Sequence, residues 1–210
     1  MLEILFIRHG QTDWNLQQKV MGAQPIPLNE TGRAQATRLA EYLKDVRLDA
    51  VATSPVMRAA QTAEILLKDR PHLKTIEDAR FSEIEYGDWL NLSFKDLSAN
   101  YPDIWRDYHH DPENVKIPNG ERLPVVRDRT AAAVNELVQK HPDGRIAIVS
   151  HADVIKLAVI GVLKWPMKMF GSFSMDNCAT ILVRNRPLLG LKLVWFNHMN
   201  GFEKDIKATA

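Results

Sequence analysis

The sequence predicts an α/β protein: a three-layer sandwich with a mostly parallel central sheet, helices on both faces and a small helical cap. Three observations lead there. Short apolar runs that fit buried strands alternate with stretches that carry apolar residues at helical spacing. Three of those runs stop abruptly and are followed by a cation or an imidazole. One segment, Trp89 to Asn119, differs in composition from everything around it. Strands that alternate with helices imply a parallel sheet covered on both faces.

The elements follow in order. Glu3 to Ile7 reads as a buried strand and runs into Arg8-His9-Gly10. Thr31 to Lys44 has helical spacing through Ala36, Leu39, Ala40 and Leu43. Asn29 and Thr31 are suited to cap it, whereas Gly32 is a poor helix residue in its first turn. Asp49 to Thr53 is the second strand. Ser54 and Pro55 then carry an N-cap and first-turn signature for a helix over Val56 to Asp69. Leu73 to Ile76 is a short strand. The segment 89–119, rich in Asp, Asn, Tyr, Trp and His and broken by Pro102, Pro112 and Pro118, is expected to form two short helices, Ser93 to Asn100 and Tyr101 to His109. They would make a cap inserted into one domain that spans 1–210. Arg122 to His141 is a long helix, Arg145 to Ser150 a strand and Val154 to Leu163 a helix. Thr180 to Val183 and Leu189 to Phe196 read as a closing hairpin turned at Asn185-Arg186-Pro187. No repeat or low-complexity segment interrupts the chain.

Composition narrows the class. With 210 residues and 45% hydrophobic content, the chain can bury a full core as one domain. The net charge of +1 supplies no global field to recruit nucleic acid or a membrane surface. The single Cys178 excludes an intramolecular disulfide, suggests a reducing compartment and is read as a buried structural thiol. The start, Met1-Leu2-Glu3, lacks the basic region of a signal peptide, and no apolar run approaches the roughly 20 residues of a membrane span. A cytoplasmic location is expected. The oligomeric state is not encoded in any pattern found.

The residues beyond the strand ends carry the chemistry. In open α/β sheets, ligands bind just past the carboxyl ends of strands. Arg8 and His9 stand there after the first strand, Arg58 in the first turn after the second, and His151 after Arg145 to Ser150. Taken alone, Arg8-His9 is best read as a surface pair. Two Arg and two His beyond three strands make convergence at one sheet edge the better reading. Arginine offers a planar fork of donors to phosphate oxygens. An imidazole can serve as a nucleophile or an acid–base group. By contrast, His109-His110-Asp111 are consecutive and lack the spacing of a helical ligand pair, so no metal site is expected. Trp89 and Trp105 are read as packing, and Lys156 and Arg122 as rim or solvated cations.

Arg8-His9-Gly10, Thr12 and Asn15 resemble the signature of the histidine phosphatase superfamily, which includes phosphoglycerate mutases, fructose-2,6-bisphosphatases and broad-specificity phosphatases. The resemblance continues through Gly22, Pro27 to Ala36, Ser54-Pro55, Arg58 to Ala63, Glu83 to Trp89, Gly120-Glu121, Ser150-His151 and Asn177. It covers nearly the whole chain. It implies that His9 is the nucleophile that takes the phosphoryl group, that Arg8, Arg58 and His151 cradle its oxygens, and that Glu83 is the general acid. Glu83 is chosen over Glu85 because the family acid stands four residues before the glycine, here Gly87. Gln11, Asn15 and the backbone of Ala152 are the expected substrate contacts. The substrate would be a small phosphorylated molecule, with no cofactor and no metal. Relatives often have an acid where Pro25 stands and glycine where Asn91 and Ala152 stand.

Two alternatives compete with a phosphomonoesterase. A phosphoglycerate mutase would use the same site, but mutases usually carry Arg directly after the acid, here Ile84, and a longer interval before the second His. A binding protein without turnover is disfavoured by intact His9, Glu83 and His151.

Overall fold

A computed structural model describes residues 1–186 and 190–198. Its centre is a six-stranded sheet formed by β1 (Glu3–Arg8), β2 (Ala50–Thr53), β3 (Thr75–Glu77), β4 (Arg145–Ser150), β5 (Thr180–Arg186) and β6 (Gly190–His198) in the order β3-β2-β4-β1-β5-β6. The four strands β3, β2, β4 and β1 are parallel, and β5 and β6 add an antiparallel edge. The sheet is therefore the mostly parallel one that the sequence predicts.

Alternation along each strand builds two cores, because successive side chains point to opposite faces. Ile4, Phe6, Ile146, Ile148 and Ile181 pack with α6 (Leu123–Lys140) and α7 (Ala152–Leu163). Leu5, Ile7, Val51, Val149 and Leu182 pack on the other face with α2 (Glu30–Tyr42) and α3 (Met57–Leu67). A third cluster gathers Ile84, Trp89, Leu97, Tyr108, Val126, Leu157 and Phe170. It ties α4 (Phe94–Asn100) and α5 (Pro102–His110) to α6 and α7. Trp89 is completely buried at its centre. Removing so large a buried ring should cost about 3–5 kcal/mol.

The register puts the chemistry on one edge. Arg8 pairs with Ser150 and Thr53 with Val149, so the chain leaves β1, β2 and β4 side by side. β4 lies between the other two, which brings 8–10, 54–58 and 150–153 together.

Several boundaries differ from expectation for physical reasons. A short helix, α1 (Asp13–Leu16), follows the first motif and was not anticipated. Thr12 and Asn15 form a reciprocal capping box that nucleates it. α2 starts where the Asn29 carboxamide oxygen accepts the Gly32 N–H at 2.8 Å. Gly32 is tolerated there because a Cβ would overlap the Gln11 carbonyl. α3 begins at Met57 with Val56 as its N-cap, so Ser54 is not the helix cap that its type suggested. Its hydroxyl is committed elsewhere, as described below. α7 starts two residues early, at Ala152, and β3 later than expected, at Thr75. β5 extends through Arg186, so Asn185 and Arg186 belong to the strand and not to the turn. Pro187 and Leu189, the rest of that expectation, lie outside the described residues. Asn91 takes φ +65°, a conformation that glycine adopts without strain. Cys178 is buried, and burial pushes its thiol up to about 12, as suits a structural thiol.

Candidate active site

His9 is almost fully buried at the end of β1. Its Nδ1 lies 2.7 Å from the Gly10 carbonyl oxygen, which can only accept. The ring proton therefore sits on Nδ1, and Nε2 keeps its lone pair. Arg58 Nε donates to that Nε2 at 3.1 Å. Burial pushes the His9 pKa well below its usual value, and Arg58 and Arg8 push it further the same way. The neutral, nucleophilic form is thus favoured. Burial is the largest of these causes, and the hydrogen bond to Gly10 acts the other way.

Arg58 is held rigidly. It is completely buried, and its Nη2 donates to Gly22 O at 2.9 Å and to Glu83 Oε2 at 3.4 Å. Thr62, one turn on, accepts the Gly10 N–H at 3.1 Å and so fixes the backbone after His9. Arg8 Nη1 donates to the Met175 carbonyl. Asn177 Nδ2 donates to His9 O at 3.1 Å and approaches Asn15 Oδ1 at 3.3 Å.

His151 faces His9 with ring centroids 5.3 Å apart. Its Nε2 lies 2.9 Å from Ser54 Oγ. The Val56 N–H also donates to that oxygen at 3.2 Å, and the hydroxyl has its own proton to give to His151 Nε2. In the tautomer that accepts the Ser54 proton, the imidazole N–H is on Nδ1, 3.6 Å from Glu83 Oε2. This is the commitment that removes Ser54 from helix capping. Burial, with Arg58 second, also lowers the His151 pKa strongly.

Glu83 is only 9% exposed, whereas Glu85 is exposed. Burial raises its carboxyl to about 7, and Arg58 opposes this without cancelling it. A carboxyl titrating there is protonated for much of the neutral range and can donate.

A cavity of about 670 Å³ opens onto this cluster. Arg8, His9, Asn15, Glu83 and Ala152 line it. Arg58 and His151 stand behind, in contact with His9 and Glu83. Gln11 is not among the lining residues. Its backbone N–H donates to Gln35 and its side-chain oxygen accepts from Asn29, beside the N-terminus of α2. Among the described residues, Arg8 Nε and His151 Nδ1 are buried donors with no hydrogen-bond partner. Buried donors normally have one, and these two stand where a ligand's oxygens can supply it. The described residues contain no group of three His, Cys, Asp or Glu that could hold a metal ion.

The model of the histidine phosphatase superfamily, branch 1, matches residues 4–189. The chain belongs to this superfamily. Among its relatives is an uncharacterised phosphatase PhoE of Bacillus subtilis, 38% identical over 155 residues, which cover 74% of each chain. Phosphoserine phosphatase 1 of Hydrogenobacter thermophilus is 28% identical over 96% of both chains. Of solved structures, mycobacterial glucosyl-3-phosphoglycerate phosphatase with VO3 superposes with a TM-score of 0.85 at 27% identity, covering 93% of this chain and 98% of that one. Superfamily membership and phosphatase relatives make the chain a phosphoric monoester hydrolase.

Sequence reasoning missed part of the histidine phosphatase cavity. Asp153 is half-buried, and its Oδ2 accepts from Tyr86 at 3.2 Å and from Tyr108 at 2.6 Å. Burial acts to raise its carboxyl, but Lys156 and the tyrosine hydroxyls hold it below the ordinary value. Lys156 is itself buried and lines the cavity, so it is not a solvated cation. The signal was the spacing: 153 and 156 are three residues apart and so share one face of α7. Trp89 and Trp105 do pack together, and both also line the cavity.

Proposed function

We propose that this protein is a metal-independent phosphatase that hydrolyses phosphate monoesters of small molecules through a phosphohistidine on His9. The observation that carries this reading is the pair of buried, partnerless donors, Arg8 Nε and His151 Nδ1, beside the free lone pair of His9 Nε2. A phosphoryl group supplies the acceptor oxygens that both donors lack.

The steps follow from the geometry. A phosphoryl oxygen takes the Arg58 Nε–H away from His9 Nε2 and frees that lone pair. Nε2 attacks phosphorus while the Gly10 carbonyl holds the Nδ1 proton and supports the growing positive charge. The ester oxygen departs with its bonding electrons and takes the proton of Glu83. The resulting carboxylate then draws a proton from water, whose oxygen attacks the phosphohistidine. Phosphate leaves, and Glu83 is an acid again. Arg8 and Arg58 hold the oxygens as negative charge builds on them, which is where such a site gains most.

The segment 89–119 serves as a cap that sets the leaving group, since Trp89, Phe94, Trp105, Tyr108 and His109 all line the cavity. Ile84 argues for water over a second substrate as acceptor. It is buried in the cluster beneath the cap, where mutases usually carry an Arg after the acid. A cytoplasmic location rests on the single buried Cys178.

A panel of phosphate monoesters assayed in EDTA tests the reading, with phosphate release and mutase activity followed in parallel. Phosphate release that survives EDTA is expected. Activity lost in EDTA and restored by one divalent ion, or isomerised ester without phosphate, would overturn it.

A further inference from the structure

The cavity holds a charged pair that the phosphoryl chemistry does not use. Lys156 Nζ donates to Asp153 Oδ1 at 2.9 Å and lies 3.9 Å from the centre of the Phe170 ring. Both residues line the cavity, and the Lys156 side chain is 8% exposed. Replacing such a buried ion pair by apolar residues is often neutral or stabilising, so stability alone does not account for it.

We propose that Lys156 reads a carboxylate on the substrate, so that the preferred esters are small phosphomonoesters bearing that second anionic group. The proposal rests on the phosphatase reading above and names its substrate class.

Three features of the pair support it. An ammonium has three N–H groups. One goes to Asp153 and one faces Phe170, which leaves one for a ligand in the cavity. Asp153, in contrast, accepts from Lys156, Tyr86 and Tyr108, three of the four bonds its carboxylate can take, so the pair keeps more donor than acceptor capacity. A substrate oxygen is selected over a substrate ammonium. Charge-assisted bonds are roughly twice as strong as neutral ones, which favours a carboxylate over a hydroxyl.

Lys156 stands on the helix that begins beside the phosphoryl site. His151 caps this helix and Lys156 lies five residues on, about 7.5 Å along the axis at 1.5 Å per residue. Lys156 bonds to the residue three before it, so its side chain folds back toward His151 and shortens that span. The ammonium and His9 line the same cavity. Asp153 is a positioning residue: it fixes the place of the Lys156 ammonium, and through Tyr108 it ties the same point to α5 of the cap.

The test compares two esters that differ at one carbon. 3-Phosphoglycerate carries a carboxylate where glycerol 3-phosphate carries a hydroxymethyl group. kcat/KM is measured for both, with nitrophenyl phosphate as a third substrate, on the wild type, on Lys156→Met and on the double variant Lys156→Met/Asp153→Asn. The double variant removes both charges together and so avoids leaving the carboxylate without its cation. The wild type should prefer the phosphoglycerate. Both variants should lose that preference by about 10–100-fold, the range for a hydrogen bond to a charged group, mainly through KM. A wild type with no preference, or a double variant that keeps it, overturns the proposal. Hydrolysis of nitrophenyl phosphate with neither alkyl ester turned over also overturns it and leaves the phosphatase reading standing. No hydrolysis of any of the three sinks the phosphatase reading itself.

Discussion

Glu83→Gln keeps the shape of the side chain and removes the proton that the leaving oxygen needs. Burial places the Glu83 carboxyl at about 7. At pH 6 roughly nine-tenths of the enzyme then carries the acid form, and at pH 8 roughly one-tenth, so kcat/KM on an alkyl ester should fall about tenfold per unit above neutrality. On the acid side the limit is the ester itself, whose second ionisation lies near pH 6. His9 contributes no limb there, because burial holds it neutral well below that range. The variant should lose about 10²–10⁴-fold on alkyl esters, the usual worth of a general acid, and with it the falling alkaline limb. A nitrophenyl ester expels a stable phenolate and should suffer much less in its first step. Since Glu83 also serves the hydrolysis of phosphohistidine, steady-state turnover mixes both steps. Rapid-quench measurement of the nitrophenolate burst separates them. If Glu85→Gln shows the leaving-group dependence and Glu83→Gln does not, the acid is misassigned. A variant that keeps the alkaline limb would also refute the reasoning.

Two further outcomes concern stability. The folded chain retains a proton on Glu83 that the unfolded chain releases between the ordinary value of 4.5 and about 7. The stability this group contributes is full below about 4.5 and lost as pH rises through 7. Glu83→Gln has no such proton to lose. It should gain up to about 3 kcal/mol relative to the wild type between pH 4 and pH 8 in urea unfolding, and a constant difference across that range would contradict it. Gly32→Ala would drive a Cβ into the Gln11 backbone and should cost about 1–3 kcal/mol, with lower kcat because Gln11 follows His9-Gly10. A melting curve and rate like those of the wild type would show that the loop yields freely.

The sheet was legible because its strands are apolar runs bounded by turn residues. Ile4 to Ile7 and Ile146 to Val149 are buried on both faces, and nothing polar competes for them. The edge was legible because Arg8, Arg58 and His151 each follow a strand end. Local hydrogen bonding hid the rest. Ser54 looks like a helix cap, but its hydroxyl is drawn to His151, a residue 97 positions away. Gly32 looks like a weak helix residue until the neighbouring backbone of Gln11 is placed. Asp153 and Lys156 read as ordinary charges on a helix, because only the tertiary contact with Tyr86, Tyr108 and Phe170 turns them inward. Gln11 shows the reverse. Its place in the first motif suggests a substrate contact, yet its side chain is engaged by Asn29.

The central claim is that His9 Nε2 takes the phosphoryl group. Wild-type enzyme mixed with a ³²P-labelled ester, quenched in base within milliseconds and digested, should yield label on the peptide that contains His9. The label should be stable in alkali, lost in acid and carried on Nε2, because the Gly10 carbonyl holds the proton on Nδ1. His9→Ala should carry no label and no turnover. Label on another residue, label on Nδ1, or an active His9→Ala would contradict the account.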